Sequence, residues 1–384
     1  MAETSYDADA EPQLRRTGEA ESLQFVVCGQ AGGRYWERVL ARARSEKSLA
    51  RFDRIALVLS GGAALGAYQA GAYAALENCG VRPNWIAGTA IGAINAGIIA
   101  GNLPHERSLR LRQFWQELGR RTALRAGGEF GYRARAWAGG WIGRWRPRPG
   151  SARETSVLPA SELRELVGEV VDFDRVNAGT VRVVLGAVNL ATGAETFFDN
   201  DRHVLGLDHL LASTPLPGLA PVMIDGQRYG GSAVSVSALD EARPADTLCF
   251  VIDGYDPVPG MQGGISRAAR EIAAIRRHHD LRRMIALLGE RLPSGLRGDV
   301  DIRKCLAEAS NATMTILHLV HEANVAELAV KMADFSSAAL MQRWHAGESD
   351  IGTSLAHPLW LAPPPRRLGV VVHEVRGGVA APPR

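Results

Sequence analysis

The chain has 384 residues, of which 46% are hydrophobic and 22% are charged, and its formal net charge is +3. This balance leaves ample apolar content for one large or two ordinary domains, and it excludes collagen, coiled coils and wholesale disorder. Only three of the 44 basic residues are Lys, and an Arg bias alone does not indicate nucleic-acid binding. The four cysteines are widely spaced without a CxxC pair, so we expect no disulfide framework.

We expect neither a signal peptide at the N-terminus nor a membrane span at residues 85–104. The N-terminus is acidic and lacks the basic and apolar regions of a signal peptide. Residues 85–104 are uncharged but contain four Gly and two Asn, which suits a strand, a turn and a buried helix better than a membrane span. We therefore expect a cytoplasmic protein, with peripheral contact at the inner membrane face as an alternative.

The N-terminal half of the chain predicts a parallel sheet. Residues 1–50 form an N-terminal extension, predicted to be partly disordered. Residues 54–60 are a continuous apolar run typical of a strand that is buried on both faces. A Gly-rich turn, a helix over 67–78, a strand over 85–88 and a helix over 91–100 follow. This order is βαβα, so we predict an α/β fold.

Later segments extend the sheet and then become helical. We predict strands over 181–190, 223–224 and 247–252, and helices over 265–290, 301–324 and 325–345. A cluster of Gly and Pro at 253–264 marks a boundary. The predicted organisation is a main domain at 54–255, a helical C-terminal extension at 265–350 and a Pro-rich tail at 351–384.

Two Gly-rich turns have the spacing of a catalytic site. The first follows the strand at 54–60 and contains Gly61, Gly62, Ala63 and Gly66, so that backbone N–H groups at a helix N-terminus can face an oxyanion. The second has the G-x-x-x-G spacing that allows a strained strand-to-helix bend, a nucleophile elbow. It consists of Gly88, Thr89, Ala90, Ile91 and Gly92.

On these motifs the chain resembles the patatin-like lipid acyl hydrolases, in a bacterial branch with a helical C-terminal extension. The resemblance covers residues 54–350 and includes the segments 185–189, 212–218, 334–336 and 344–347. It implies a three-layer α/β/α sandwich with a mostly parallel central sheet. It also implies an oxyanion loop at 61–66 and a Ser–Asp dyad, without a cofactor.

The residues of that dyad are missing. The family has Ser at the centre of the elbow, where this chain has Ala90. The family's Asp aligns with Gly231, or with Tyr229 if a short deletion is allowed, and neither is acidic. Ala63 also replaces a Gly of the oxyanion loop. An engineered knock-out would explain Ala90 alone, whereas three departures indicate natural loss of the catalytic centre.

An Arg-rich and Trp-rich segment is the candidate for lipid contact. Residues 105–154 hold twelve Arg and four Glu. Indole rings favour the headgroup layer and Arg attracts anionic lipid, which suggests a cap over an acyl pocket. The candidates are Trp137, Trp141, Trp145, Arg144 and Arg146. A solvated loop whose tryptophans pack on the core is an equal alternative, and we expect no nucleic-acid partner.

Other ligand classes have weak support. The loop at 61–66 lacks the middle Gly of a dinucleotide fingerprint, and a P-loop GK[ST] is absent. His318 and His321 lie three apart on the predicted helix over 301–324, but no complementary Cys/His cluster accompanies them. We predict neither a metal nor a cofactor.

Three functions remain open. The first is a catalytically inactive homologue that binds lipid or acyl chains or acts as a regulator. The second is an active phospholipase or esterase with a non-standard nucleophile. The third is a scaffold whose extension binds an unidentified protein partner.

Overall fold

The computed structural model describes residues 49–125, 159–214, 221–232, 244–255, 267–322, 331–357, 360–376 and 379–380. Within these ranges the strands are β1 (Arg54–Leu59), β2 (Trp85–Gly88), β3 (Arg182–Asn189), β4 (Glu195–Asp199), β5 (Val222–Ile224), β6 (Gln227–Ser232), β7 (Thr247–Tyr255), β8 (Met314–Glu322), β9 (Val370–Arg376) and β10 (Val379–Ala380). The helices are α1 (Gly66–Asn78), α2 (Ile91–Ala100), α3 (Arg107–Arg125), α4 (Ala160–Val170), α5 (Phe173–Asn177), α6 (Leu207–Ala212), α7 (Arg267–Arg291), α8 (Val300–Ala307) and α9 (Ser337–Ala356).

The strands of the described residues form one mixed sheet. Its order is β10-β9-β8-β7-β1-β2-β3-β6-β5, and β4 pairs with β3 outside this path. The six strands from β9 to β3 are mutually parallel, whereas β10, β4, β5 and β6 pair antiparallel. The predicted α/β class and the mostly parallel sheet are thus confirmed.

Helices cover both faces of this sheet and complete three layers. The larger core contains residues of α1, α2, α3, α4 and α9 on one face. The smaller core lies on the other face, where Ile272 and Ile275 of α7 pack against β1, β7, β8 and β9. The α/β/α sandwich and the C-terminal helices are as predicted.

The prediction of a helix over 301–324 is wrong for most of its length. Helix α8 ends at Ala307, and residues 314–322 form β8 between β7 and β9. This apolar run is buried on both faces, and its periodicity cannot distinguish a central strand from a buried helix. Its β-branched residues Thr315, Ile316 and Val320 favour the strand.

Other differences are smaller. The predicted helix over 325–345 corresponds in the described residues to a helical stretch at 331–333 and to α9, which begins at Ser337. The Pro-rich tail contributes two strands, β9 and β10, that the sequence analysis did not predict. Residues 85–104 form β2, the turn and the buried helix α2. In the part of the chain that is described, no helix has the length and apolar character needed to cross a membrane.

Candidate functional site: the strained turn at Ala90

The turn between β2 and α2 has the strained geometry of a nucleophile elbow. Ala90 lies directly before α2 with φ 53° and ψ −126°. Residues other than Gly rarely adopt this combination of backbone angles. Such a conformation costs about 1–3 kcal/mol and persists only where the surroundings enforce it. The turn at residues 88–92 is therefore strained at its central residue, as a strand-to-helix elbow requires.

Close packing explains why Gly flanks this turn. A Cβ on Gly92 would lie 2.2 Å from the carbonyl oxygen of Leu59 at the end of β1. A Cβ on Gly88 would lie 2.6 Å from the carbonyl oxygen of Gly92 itself. Both distances are far below van der Waals contact, so the sharp bend requires Gly at these two positions.

Hydrogen bonds to neighbouring elements fix the elbow. The N–H of Ala90 donates to the carbonyl of Ser213 at 2.8 Å, and the N–H of Thr89 donates to Leu59 at 3.0 Å. The hydroxyl of Thr214 donates to the carbonyl of Ala90 at 3.1 Å. The strained residue is thus held on both sides of its Cα atom.

The oxyanion loop lies beside this elbow. It leaves β1 at Ser60 and enters the short 3₁₀ turn Ala63–Leu65. Ala63 has φ 49°, so the Ala that replaces Gly still adopts a left-handed conformation, at a cost in strain. A Cβ built on Gly61 would lie 3.2 Å from the Cβ of Ala90. The methyl group at the nucleophile position therefore faces the loop.

The loop and the start of α2 also carry backbone donors. In the described part of the chain, the N–H groups of Gly62, Ala63 and Ile91 donate no hydrogen bond. The N–H that follows the nucleophile, together with those of a nearby loop, is the standard composition of an oxyanion hole. These groups can bind the oxygen of an acyl carbonyl or a carboxylate.

A buried amide network, which the sequence analysis missed, connects the loop and the elbow. Gln69 on α1 donates to the carbonyl of Ser60 at 2.7 Å. Asn95 on α2 donates to the carbonyl of Gly66 at 3.0 Å and to Oε1 of Gln69 at 3.1 Å, and it accepts from Nε1 of Trp115 at 3.1 Å. The only signal in the sequence is that Gln69 and Asn95 are amides in helices that consist mostly of small or apolar residues.

The two residues that the sequence analysis aligned with the family's Asp, Tyr229 and Gly231, lie on β6. Tyr229 is buried on β6, and its ring packs edge-on against Phe198 at 5.2 Å. Gly231 has φ 92°, and a Cβ there would meet Val188 at 3.8 Å. The pairing of Ser232 with Ala187, two residues beyond the partner of Gly88, places the end of β6 near the level of the elbow. Among the described residues, neither candidate position supplies a carboxylate.

Hydroxyl groups near Ala90 are engaged or enclosed. Thr89 is fully buried, and its Oγ1 has no hydrogen-bond partner among the described residues. The Ser60 hydroxyl interacts with the carbonyls of Ile252 and Gly61. The Thr214 hydroxyl also contacts the carbonyl of Leu210 at 2.9 Å.

A second buried polar group lies at the same edge of the sheet, two strands from the elbow. Nε2 of His318 on β8 is 2.7 Å from Oδ2 of Asp253 on β7, and the two side chains are 2% and 9% exposed. Asp253 directly follows Ile252, which pairs with the last residue of β1. The sequence analysis placed His318 on a helix and did not predict this pair.

The opposite face of β8 carries another buried cluster. The ring of His321 stacks on Tyr68 with centroids 4.6 Å apart, and the Tyr68 hydroxyl donates to Asp350 on α9 at 2.7 Å. Burial raises the pKa of Tyr68 well above its usual value, and the negative charge of Asp350 raises it further. Because residues three apart on a strand point to opposite faces, His318 and His321 do not converge on one ligand.

Two further expectations concern lipid contact and metal binding. Trp137, Trp141, Trp145, Arg144 and Arg146 lie outside the described residues. Within the described ranges, no group of three His, Cys, Asp or Glu side chains is arranged to hold a metal ion.

Comparison with known proteins places these observations in one family. The crystal structure of VipD from Legionella pneumophila aligns with 76% of this chain and 67% of that chain, at 11% identity and a TM-score of 0.33. The comparison with curated proteins finds no match. A family model described as patatin phospholipase matches residues 265–367, and one described as patatin-like phospholipase matches residues 57–255, just over half of the chain. The chain therefore belongs to the patatin-like phospholipase family.

Proposed function

We propose that this chain is a catalytically inactive patatin-like protein that binds a lipid or acyl ligand and acts through that binding. One observation carries the proposal: the strained elbow is retained, but it presents the methyl group of Ala90 to the oxyanion loop. A methyl group cannot attack an ester carbonyl, so no acyl-enzyme forms at this position. Loss of a nucleophile and its base typically removes about 10⁶ in rate, or roughly 8 kcal/mol of barrier.

The groups that this site retains are suited to binding an acyl oxygen. The unpaired N–H groups of Gly62, Ala63 and Ile91 still suit an acyl oxygen, and the amide network still fixes their positions. The buried or engaged hydroxyls around Ala90 offer no replacement nucleophile among the described residues. Binding without turnover is thus the chemistry that the site supports best.

The activity experiment uses p-nitrophenyl butyrate hydrolysis and fluorophosphonate labelling. We expect neither turnover above buffer nor labelling for the unmodified chain. The variant Ala90→Ser is expected to stay nearly inactive because its Ser has no acidic partner, and Ala93→Ser on the same helix is the matched control. Serine-dependent turnover or labelling of the unmodified chain would disprove the proposal.

The binding experiment uses a fluorescent fatty acid, 11-dansylundecanoic acid. We expect saturable binding that Gly61→Ala weakens, because the added Cβ would lie 3.2 Å from Ala90 and narrow the space between the loop and the elbow. Gly168→Ala is the control, since a Cβ there has no neighbour within 4 Å. Equal binding by both variants would place the ligand elsewhere.

A further inference from the structure

The two halves of α7 have different surroundings. In the first half, Ile272, Ile275 and His279 are buried against the sheet. In the second half, four large apolar side chains are 50–59% exposed. We call these residues the α7 patch: Leu281, Met284, Leu287 and Leu288. At 100° per residue they occupy about 120° of the helix surface, so they form one continuous apolar stripe.

This patch lies at the amino edge of the sheet, opposite the elbow. Helix α7 follows the carboxyl end of β7 and runs back along the sheet. The carbonyl of Arg282 accepts from the N–H of Ser310, shortly before β8. A Cβ on Gly369, directly before β9, would lie 3.8 Å from His279. The helix therefore reaches the amino ends of β8 and β9 near residues 279–282, and the patch continues beyond them.

Basic side chains flank the patch on its own face. Arg277 and Arg291 are exposed one turn before and one turn after it, and one exposed acidic residue, Asp280, lies on the same face. Residues 267–308 contain ten Lys or Arg and six Asp or Glu. Apolar side chains bordered by Arg are the pattern of a helix that lies in a membrane interface, where apolar insertion and attraction to anionic lipid add together.

A second copy of the chain fits this surface less well. A stable dimer buries about 800 Å² on each partner, and four half-exposed aliphatic side chains fall short of that area. A two-fold interface would also place the patch and its flanking arginines against the same residues of the other copy, and like charges would repel. An anionic surface has the opposite charge.

We propose that the α7 patch, with the adjoining α8, docks on an anionic lipid bilayer. Because the patch and the elbow lie at opposite edges of the sheet, the docked protein turns its elbow away from that bilayer. An acyl ligand would then reach the elbow from the aqueous side. Docking does not depend on the proposed acyl-binding function, so either can fail alone.

The first experiment measures flotation with vesicles of 70% phosphatidylcholine and 30% phosphatidylglycerol, and with pure phosphatidylcholine. We expect binding to the anionic vesicles that Leu281→Gln/Met284→Gln/Leu288→Gln weakens about tenfold or more. The control is Leu109→Gln/Val204→Gln, which changes exposed residues elsewhere. Arg277→Gln/Arg291→Gln is expected to weaken only the anionic binding, about tenfold, whereas Arg51→Gln/Arg82→Gln is not.

The second experiment measures orientation with the fluorophore NBD. Cys305 on α8 is exposed and can be labelled after Cys28→Ser and Cys79→Ser. Thr192→Cys in a Cys305→Ser background labels a turn after the carboxyl end of β3. We expect a blue shift on anionic vesicles from the Cys305 label and none from the label at 192.

Four outcomes would overturn the proposal. They are no binding by the unmodified chain, full binding by the triple patch variant, a response from the label at 192 instead of Cys305, and loss of binding through Trp137→Ala/Trp141→Ala/Trp145→Ala alone. A dimer that the patch variant converts to a monomer in light scattering, without vesicle binding, would identify the patch as an interface between copies. Fatty-acid binding measured in parallel separates these results from a failure of the proposed function.

Discussion

The carboxyl edge of the sheet has two halves that differ in what they retain. After β1 and β2, the Gly-rich loop at 61–66 and the turn at 88–92 have a tightly packed backbone, and Ala90 holds the strained position. At β7 and β8, the buried pair of Asp253 and His318 provides titratable groups without the backbone of a catalytic turn. The strained turn and the buried carboxylate–imidazole pair therefore lie at the same edge of the sheet but on different strands.

The difference follows from how each feature is encoded. The elbow depends on steric requirements at Gly88 and Gly92 and on the amides of Gln69 and Asn95, all of which also serve packing. The nucleophile depends on a single oxygen atom that packing does not need. A Ser→Ala change can thus remove the chemistry while the fold and the binding groups persist. Four predictions test this contrast between the two halves.

The largest expected effect is at the β7–β8 half. Removing one member of this buried pair breaks the contact between Nε2 of His318 and the Asp253 carboxylate, so Asp253→Ala is expected to lower the free energy of unfolding by about 3–5 kcal/mol. Urea denaturation measures this loss. The double variant Asp253→Leu/His318→Leu should lose much less, because it leaves neither group buried alone.

An exposed ion pair serves as the control for that measurement. Lys304 and Asp301 on α8 are 3.5 Å apart with side chains 75% and 91% exposed, and Asp301→Ala should cost less than about 1 kcal/mol. If Asp253→Ala were equally mild, the β7–β8 half would not rely on its buried pair, and the contrast with the elbow would fail.

The second prediction concerns the steric basis of the elbow. Gly92→Ala places a Cβ 2.2 Å from a backbone oxygen of β1, so the turn must shift, and we expect a loss of about 3 kcal/mol. Gly168→Ala in α4 meets no neighbour within 4 Å and should gain about 0.5–1 kcal/mol from helix propensity. Similar results for the two variants would show that the elbow is not sterically determined.

The third prediction concerns the amide network. Asn95→Ala leaves the carbonyl of Gly66 and Nε1 of Trp115 buried without their partner, at an expected cost of about 1–3 kcal/mol. A double-mutant cycle with Gln69→Ala should give a coupling of about 1 kcal/mol. Additive effects would mean that the two amides do not act as one network.

Much of the N-terminal fold could be predicted from the sequence because local signals and tertiary packing agree there. The apolar run before Gly61 predicts β1, and the alternation of Gly-rich turns with short apolar segments after it predicts α1, β2 and α2. The run at 314–322 could not be assigned in this way, because a strand buried on both faces has no alternation. Its position between β7 and β9 depends on pairing with strands remote in sequence.

The candidate site divides in the same manner. The motif spacing predicted a tight turn between β2 and α2 with Ala90 at its centre, because such a turn is a local feature. The pair of Asp253 and His318 could not be predicted, because 65 residues separate its members and only the adjacent strands bring them together. Gln69 and Asn95 are visible in the sequence as polar residues in apolar helices, but their partners are not.

The smallest expected effect is a pH dependence of the free energy of unfolding, to which buried His373 on β9 contributes and exposed histidines do not. Burial lowers the pKa of His373, which stacks on Trp360 at 5.2 Å, and burial likewise lowers the pKa of His209 near Phe198. Below the ordinary His pKa of about 6.5, the unfolded chain binds protons that the folded chain does not. The stability that these groups contribute is therefore fully present above that pH, and Tm falls as the pH decreases from 7 to 5.

The experiment measures Tm against pH for two variants. We expect His373→Gln to reduce the fall in Tm, whereas the exposed His105→Gln should leave it unchanged. An unchanged pH dependence in His373→Gln would show that burial of this ring on β9 does not oppose its protonation.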